Sequence, residues 1–224
     1  MSDQPNYGQI ATHLRFENDD LRVWEMDLAS GQLCGLHRHS LDYVLYILEG
    51  GRIAVESPAM TSNRFPGKST YELAVGARAI SYVPAGGAES ARNIGPGRFR
   101  EAVFEIRRPL PPGTSNPGFA LTEAAAGQPT RPGVVTLLEN SRIRALEIAI
   151  APGSSVNPQV DSRDAAIFVI DGGRIVLRES RSGETRSEVI ELAPSTVLWQ
   201  PRGWERELTN VGINVYRDIR IELR

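Results

Sequence analysis

The chain has 224 residues, of which 41% are hydrophobic and 23% charged, and a formal charge of −2. That length suits two compact units of about 100 residues each, and the apolar content is enough for a core, which excludes a disordered or collagen-like chain. With so little net charge and no block of like charges, there is no cationic surface to neutralise phosphates, so nucleic-acid binding is not expected.

The first residues, Met1-Ser2-Asp3-Gln4-Pro5-Asn6, lack the basic and apolar regions of a secretory signal. No stretch approaches the roughly 18 apolar residues of a membrane-spanning helix. The single cysteine, Cys34, excludes an internal disulfide and suits a reducing compartment. A cytoplasmic protein without a membrane partner is the expectation.

From Glu17 onward the sequence is written twice. An offset of 122 lays Glu17–Ile53 on Glu139–Ile175 without a gap, matching Arg22 with Arg144, Glu25 with Glu147, Gly31 with Gly153 and Asp42 with Asp164. The run Gly50-Gly51-Arg52-Ile53 recurs as Gly172-Gly173-Arg174-Ile175. After residue 70 the offset becomes 117, and Pro84, Gly86, Asn93 and Gly95 fall on Pro201, Gly203, Asn210 and Gly212. The five extra residues of the first copy lie between Ser57 and Thr70, where a hairpin loop tolerates insertion. Residues 108–133 hold six of the fifteen prolines and read as a linker. Domain one is therefore expected at 7–107 and domain two at 134–224.

Within each copy the apolar period is two. Trp24, Met26 and Leu28 alternate with polar neighbours, as do Leu146, Ile148 and Ile150, and as do Ala102, Phe104 and Ile106 with their counterparts Ile219, Ile221 and Leu223. Short alternating strands broken by Gly, Pro, Asn and Asp about every ten residues predict an all-β sandwich or barrel in each half. The one helical signal is a turn near Leu121–Ala126.

Two of the three histidines lie in the stretch from Gly31 to Gly50, as His37-Arg38-His39. On a strand, residues two apart face the same side, so both imidazoles can reach one metal ion at about 2.0–2.1 Å. This stretch resembles the first motif of the cupin superfamily, a glycine, five residues, His-x-His, a glutamate three or four residues on, and a later glycine. Val83–Asn93 resembles the second, Pro-x-Gly-x-x-His-x-x-x-Asn. The resemblance spans nearly the whole chain and implies two tandem jelly-roll barrels, a bicupin.

Two departures from the family pattern stand out. Tyr43 occupies the place of the first-motif glutamate, and Glu89 occupies the place of the second-motif histidine. Asp42, one residue earlier, falls on the opposite strand face and is expected to support a turn, as Asp164 does in the second copy. The expected ligand set is His37, His39 and Glu89, the two-imidazole, one-carboxylate set that holds ferrous iron in non-haem oxygenases. Tyr43 is expected as the catalytic residue, completing the shell or donating a hydrogen bond to a metal-bound ligand. Iron is preferred, with Mn, Ni or Zn open, and dioxygenase chemistry on a small organic molecule is preferred to isomerase or lyase chemistry. The alternative is a non-catalytic, metal-free bicupin that binds a small molecule or serves a structural role. The corresponding positions of the second copy, Gln159, Asp161, Ala165 and Arg206, predict a metal-free barrel with an Arg206–Asp161 pair. Exposed sheet edges favour a homodimer.

Overall fold

The computed structural model describes residues 7–58, 64, 67–123, 128–156 and 163–224, without the side chains of 128–131. The chain divides into two compact units, with the boundary between residues 125 and 126. The first contains β1 (His13–Glu17), β2 (Leu21–Leu28), β3 (Leu33–Arg38), β4 (Asp42–Glu49), β5 (Gly51–Glu56), β6 (Thr70–Val75), β7 (Ile80–Val83), β8 (Ala88–Asn93), β9 (Phe99–Ile106) and β10 (Ala120–Thr122). The second contains β11 (Gln128–Arg131), β12 (Val134–Glu139), β13 (Ile143–Ile150), β14 (Ser155–Val156), β15 (Ala165–Asp171), β16 (Gly173–Arg181), β17 (Glu184–Leu192), β18 (Val197–Gln200), β19 (Glu205–Asn210) and β20 (Tyr216–Leu223). No helix occurs among the described residues.

Each unit is a pair of antiparallel sheets. In the first, β1-β2-β9-β4-β7-β10 faces β3-β8-β5-β6. In the second, β12-β13-β20-β15-β18 and β14-β19-β16-β17 repeat the same order, with β11 added beside β12. The duplication in the sequence is thus a duplication of topology in nine strands of each unit, while β10, beside β7, has no counterpart in the second.

Alternation builds the interior of the first unit. Met26 and Leu28 from β2, Leu45 and Ile47 from β4, Ile53 and Val55 from β5, and Phe99 and Val103 from β9 form one buried cluster between its sheets. Each such side chain removed from water contributes about 1.5–3 kcal/mol. For β9 the inward face is therefore Phe99, Glu101 and Val103. The alternation Ala102, Phe104, Ile106, which shows the period of two in the sequence, belongs to the other face of that strand, which is also buried.

Polar side chains fix the corners, and they do so twice. Asn93 Nδ2 donates to the carbonyls of Leu28 (2.9 Å) and Gly97 (2.8 Å), and its Oδ1 accepts the Gly95 N–H at 2.9 Å. Asn210 repeats the bracket on Ile150 (2.8 Å), Asn214 (2.7 Å) and Gly212 (2.9 Å). Gly50 is fixed by space, because a Cβ there would stand 2.5 Å from the Val75 carbonyl oxygen, and one at Gly172 would stand 2.1 Å from that of Leu192.

The stretch 108–133, expected as a linker, contains regular structure. β10 pairs with β7, and β11 pairs with β12. Asn116 adds a polar tie, accepting a hydrogen bond from the Tyr82 hydroxyl at 2.7 Å and donating to Asp42 at 3.0 Å. The expected helical turn at Leu121–Ala126 is replaced by strand at Leu121 and Thr122, because edge pairing with β7 satisfies their backbone groups; residues 124–126 lie outside the described residues.

Candidate metal centre

His37 and Glu89 are direct cross-strand partners in the β3–β8 ladder, so both side chains rise from the same face. A register shift between Cys34 and His37 places a bulge just before this pair. His39 follows β3 by one residue and is held by the chain itself, its N–H donating to the Gly87 carbonyl and its own carbonyl accepting the Gly86 N–H. These ties bring His37, His39 and Glu89 together inside the first unit. One ligand atom from each lies within 4.8 Å of the others, and the residues are only 1%, 4% and 8% exposed.

Hydrogen bonding orients His37. Its Nδ1 lies 2.8 Å from the Gly35 carbonyl, which can only accept, so Nδ1 carries a proton and Nε2 is the nitrogen left for an ion. The His39 ring is held between neighbours, stacked on Tyr43 at 3.9 Å and 13° and edge-on to His37 at 4.9 Å and 87°. Its Nδ1 is buried without a partner, and its Nε2 stands 3.8 Å from Glu89 Oε1, too far for a hydrogen bond. Burial, with the fields of His37 and Arg64, holds the His39 pKa well below the ordinary value of 6.5. His39 is therefore neutral, the form a metal needs. Tyr71 donates its hydroxyl to Glu89 Oε2 at 3.1 Å, which fixes the carboxylate.

These details fit an ion. A buried imidazole with an unpartnered nitrogen carries a desolvation cost that a coordinate bond would offset. Two atoms bound to one ion at about 2.1 Å are no more than about 4.2 Å apart, so a group spanning up to 4.8 Å closes on an ion with sub-ångström adjustment.

Around the triad lies a cavity of about 20 Å³, counted as the space the centre of a water molecule can reach. Its walls are mainly apolar, from Leu45, Ile47, Val55 and Val103 among others, and its polar lining adds Tyr43, Arg64 and Glu101 to the triad. Burial, reinforced by Glu89, raises the Tyr43 pKa well above 10, so in the metal-free barrel the phenol keeps its proton and can donate a hydrogen bond.

Sequence reasoning missed Arg64 and Glu101. Burial pushes Glu101 up to about 7, opposed by Arg64 and reinforced by Glu89. Its signal was present in Phe99-x-Glu101-x-Val103, a carboxylate on an otherwise apolar face. Arg64 lies between Ser57 and Thr70, the stretch in which the first copy is five residues longer, where no strand pattern reports direction.

The remaining candidates have structural surroundings. Asp42 accepts the Ala85 N–H at 2.8 Å and Asp164 the Arg202 N–H at 2.9 Å, the same turn support in both copies. Burial, with the fields of Glu101 and Glu89, pushes the Cys34 thiol up to about 11, which removes its nucleophilic form at neutral pH. His13 is exposed on β1.

In the second unit, Gln159 and Asp161 lie outside the described residues. Ala165 is buried, and Arg206 donates to Glu179 and to Gln200 Oε1 at 3.1 Å. Arg206 was expected to pair with Asp161; its observed partners are Glu179 and Gln200, brought alongside by the β16–β19 register, which sets Glu179 opposite Arg206.

No family model matches the sequence, and no curated protein is similar to it. Solved structures do match in fold. AerE from Microcystis aeruginosa shares 13% identity at a TM-score of 0.66, over 93% of this chain and 90% of that one. Oxalate decarboxylase from Bacillus subtilis, described with Mn(II) centres, shares 15% identity at 0.65, over 97% and 78%. Procruciferin, an 11S globulin from Brassica napus, shares 11% at 0.67, over 91% and 76%. With the repeated strand order of both units, these likenesses show the fold, two tandem β-sandwich units of the jelly-roll kind that the cupin resemblance implies.

Proposed function

We propose that the first barrel holds one divalent transition metal on His37, His39 and Glu89 and acts on a small organic molecule, with dioxygenase-type chemistry favoured over isomerase or lyase chemistry. The observation that supports it is the buried convergence of two imidazoles and one carboxylate. When bound, an ion held this way supplies an electrophilic centre with open coordination positions. Iron is our first choice, with Mn, Ni or Zn as the other candidates.

The chain's own residues supply the rest. Gly35 orients His37, Tyr71 fixes Glu89, and Tyr43 stacks on His39 while offering a protonated phenol to the cavity. Apolar walls exclude water and strengthen every charge interaction inside. A metal-free, ligand-binding bicupin is the second reading, favoured by the fact that globulins share this fold as readily as a decarboxylase does.

Metal analysis of protein prepared without a histidine tag separates the two. The first reading expects stoichiometric Fe, Mn, Ni or Zn in the wild type and loss of it in His37→Ala/His39→Ala protein that still shows the β-rich circular dichroism spectrum. No bound metal after reconstitution with each of the four ions would move the assignment to the second reading. We also read the protein as a cytoplasmic homodimer, in keeping with its lone cysteine and with sheet edges at β6 and β17; light scattering tests the oligomeric state.

A further inference from the structure

Among the described residues, Arg64 is the one arginine or lysine lining the cavity, and its placement is unusual. The residue is half-buried, but its Nε is fully shielded and has no hydrogen-bond partner. The guanidinium lies in the fields of Tyr43, Glu89, Glu101 and Tyr71. A buried guanidinium N–H without an acceptor costs about 1–3 kcal/mol or more, so its presence asks for an acceptor that arrives from outside the chain.

Charge points the same way. With a divalent ion on the triad, the cavity holds the ion's two positive charges and that of Arg64. Against these stand Glu89 and, only when ionised, Glu101. The surplus is positive in a low-dielectric space, and an anion balances it.

We propose that the ligand of the first barrel is a small carboxylate whose anionic group is held by Arg64 while the rest of the molecule faces the triad; the inference rests on the metal-site reading above. Arginine's planar fork matches a carboxylate by two parallel N–H bonds. The small cavity and its two carboxylate side chains disfavour a bulkier, doubly charged phosphate. A neutral Glu101 serves as a hydrogen-bond donor to such a ligand.

The test is calorimetric titration of wild-type, Arg64→Gln and Arg64→Lys protein with acetate, pyruvate and malonate, with acetamide and inorganic phosphate as controls, each in metal-loaded and metal-stripped form. The expected result is binding of at least one carboxylate to the wild type, weakened tenfold or more in Arg64→Gln and less in Arg64→Lys. Acetamide affinity and metal content should not change among the three. The inference is overturned if carboxylate binding is equal in wild type and Arg64→Gln, if phosphate binds more tightly than every carboxylate, or if no carboxylate binds the folded wild type. Metal content, measured on the same samples, reports separately on the triad, and the metal-stripped titrations read the contribution of Arg64 even where no ion is retained. Near-UV circular dichroism establishes that each variant is folded, with Arg64→Lys retaining the charge if Arg64→Gln does not fold.

Discussion

Replacing Glu101 with glutamine should stabilise the metal-free protein, and by an amount that depends on pH. The carboxyl group has an ordinary pKa of 4.5 and is pushed up to about 7 in the folded barrel, chiefly by burial. The native state thus binds this proton more tightly than the unfolded chain does. The resulting stability is fully present below pH 4.5 and is lost as pH rises through 7. At about 1.36 kcal/mol per pH unit, the difference amounts to roughly 3 kcal/mol by pH 8. Glutamine keeps the shape and never ionises, so Glu101→Gln and wild type should be alike near pH 4.5 and differ by roughly 3 kcal/mol at pH 8, the variant being the more stable. Urea unfolding in the presence of a chelator measures this. In a background with Trp199→Phe and Trp204→Phe, fluorescence reports on Trp24, in the first unit alone, which avoids treating two units as one transition. A gap that does not change between pH 4.5 and 8, or a variant less stable than wild type at pH 8, would refute the reasoning.

Other outcomes follow from the same geometry. Asn93→Ala and Asn210→Ala each remove three hydrogen bonds of a buried side chain and should each cost roughly 2–4 kcal/mol in the unit concerned, as read by urea unfolding. Gly50→Ala forces a methyl group against backbone and should cost about 1–3 kcal/mol in thermal unfolding, whereas Gly51→Ala, whose Cβ would meet only the Phe99 ring at 3.7 Å, should be tolerated. His39, held neutral by burial, withdraws stability in the opposite sense from Glu101. The unfolded chain takes up its proton as pH falls through 6.5 while the folded state does not, so His39→Gln should flatten the loss of stability below pH 6.5.

The repeat and the period-two pattern made the fold legible, because each reflects the chain's own backbone geometry and needs no partner to be seen. The same is true of His37 and His39, whose shared face follows from their spacing. Glu89 could be placed beside them only through its alignment with a motif, and the structure shows why that sufficed: it sits directly opposite His37 in the ladder. Alternation alone did not tell which face of β9 turned toward the cavity, since both faces are buried. Glu101 went unread for that reason. Arg64 was illegible in principle, because its approach to the barrel depends on a loop path and not on a strand period. Residues 108–133 misled in another way: prolines signalled a break in regular structure, while the two short edge strands within the stretch needed only a neighbouring ladder to form.

The asparagine brackets hold the corner of each sandwich from outside its lining, so the scaffold's integrity and the contents of its interior are separately editable. One copy has filled its hollow with a histidine pair and the other with an arginine–glutamate couple, and neither change disturbed the clasp. A protein engineer could therefore rewrite the arginine–glutamate couple of the second unit without touching the asparagine that holds its corner.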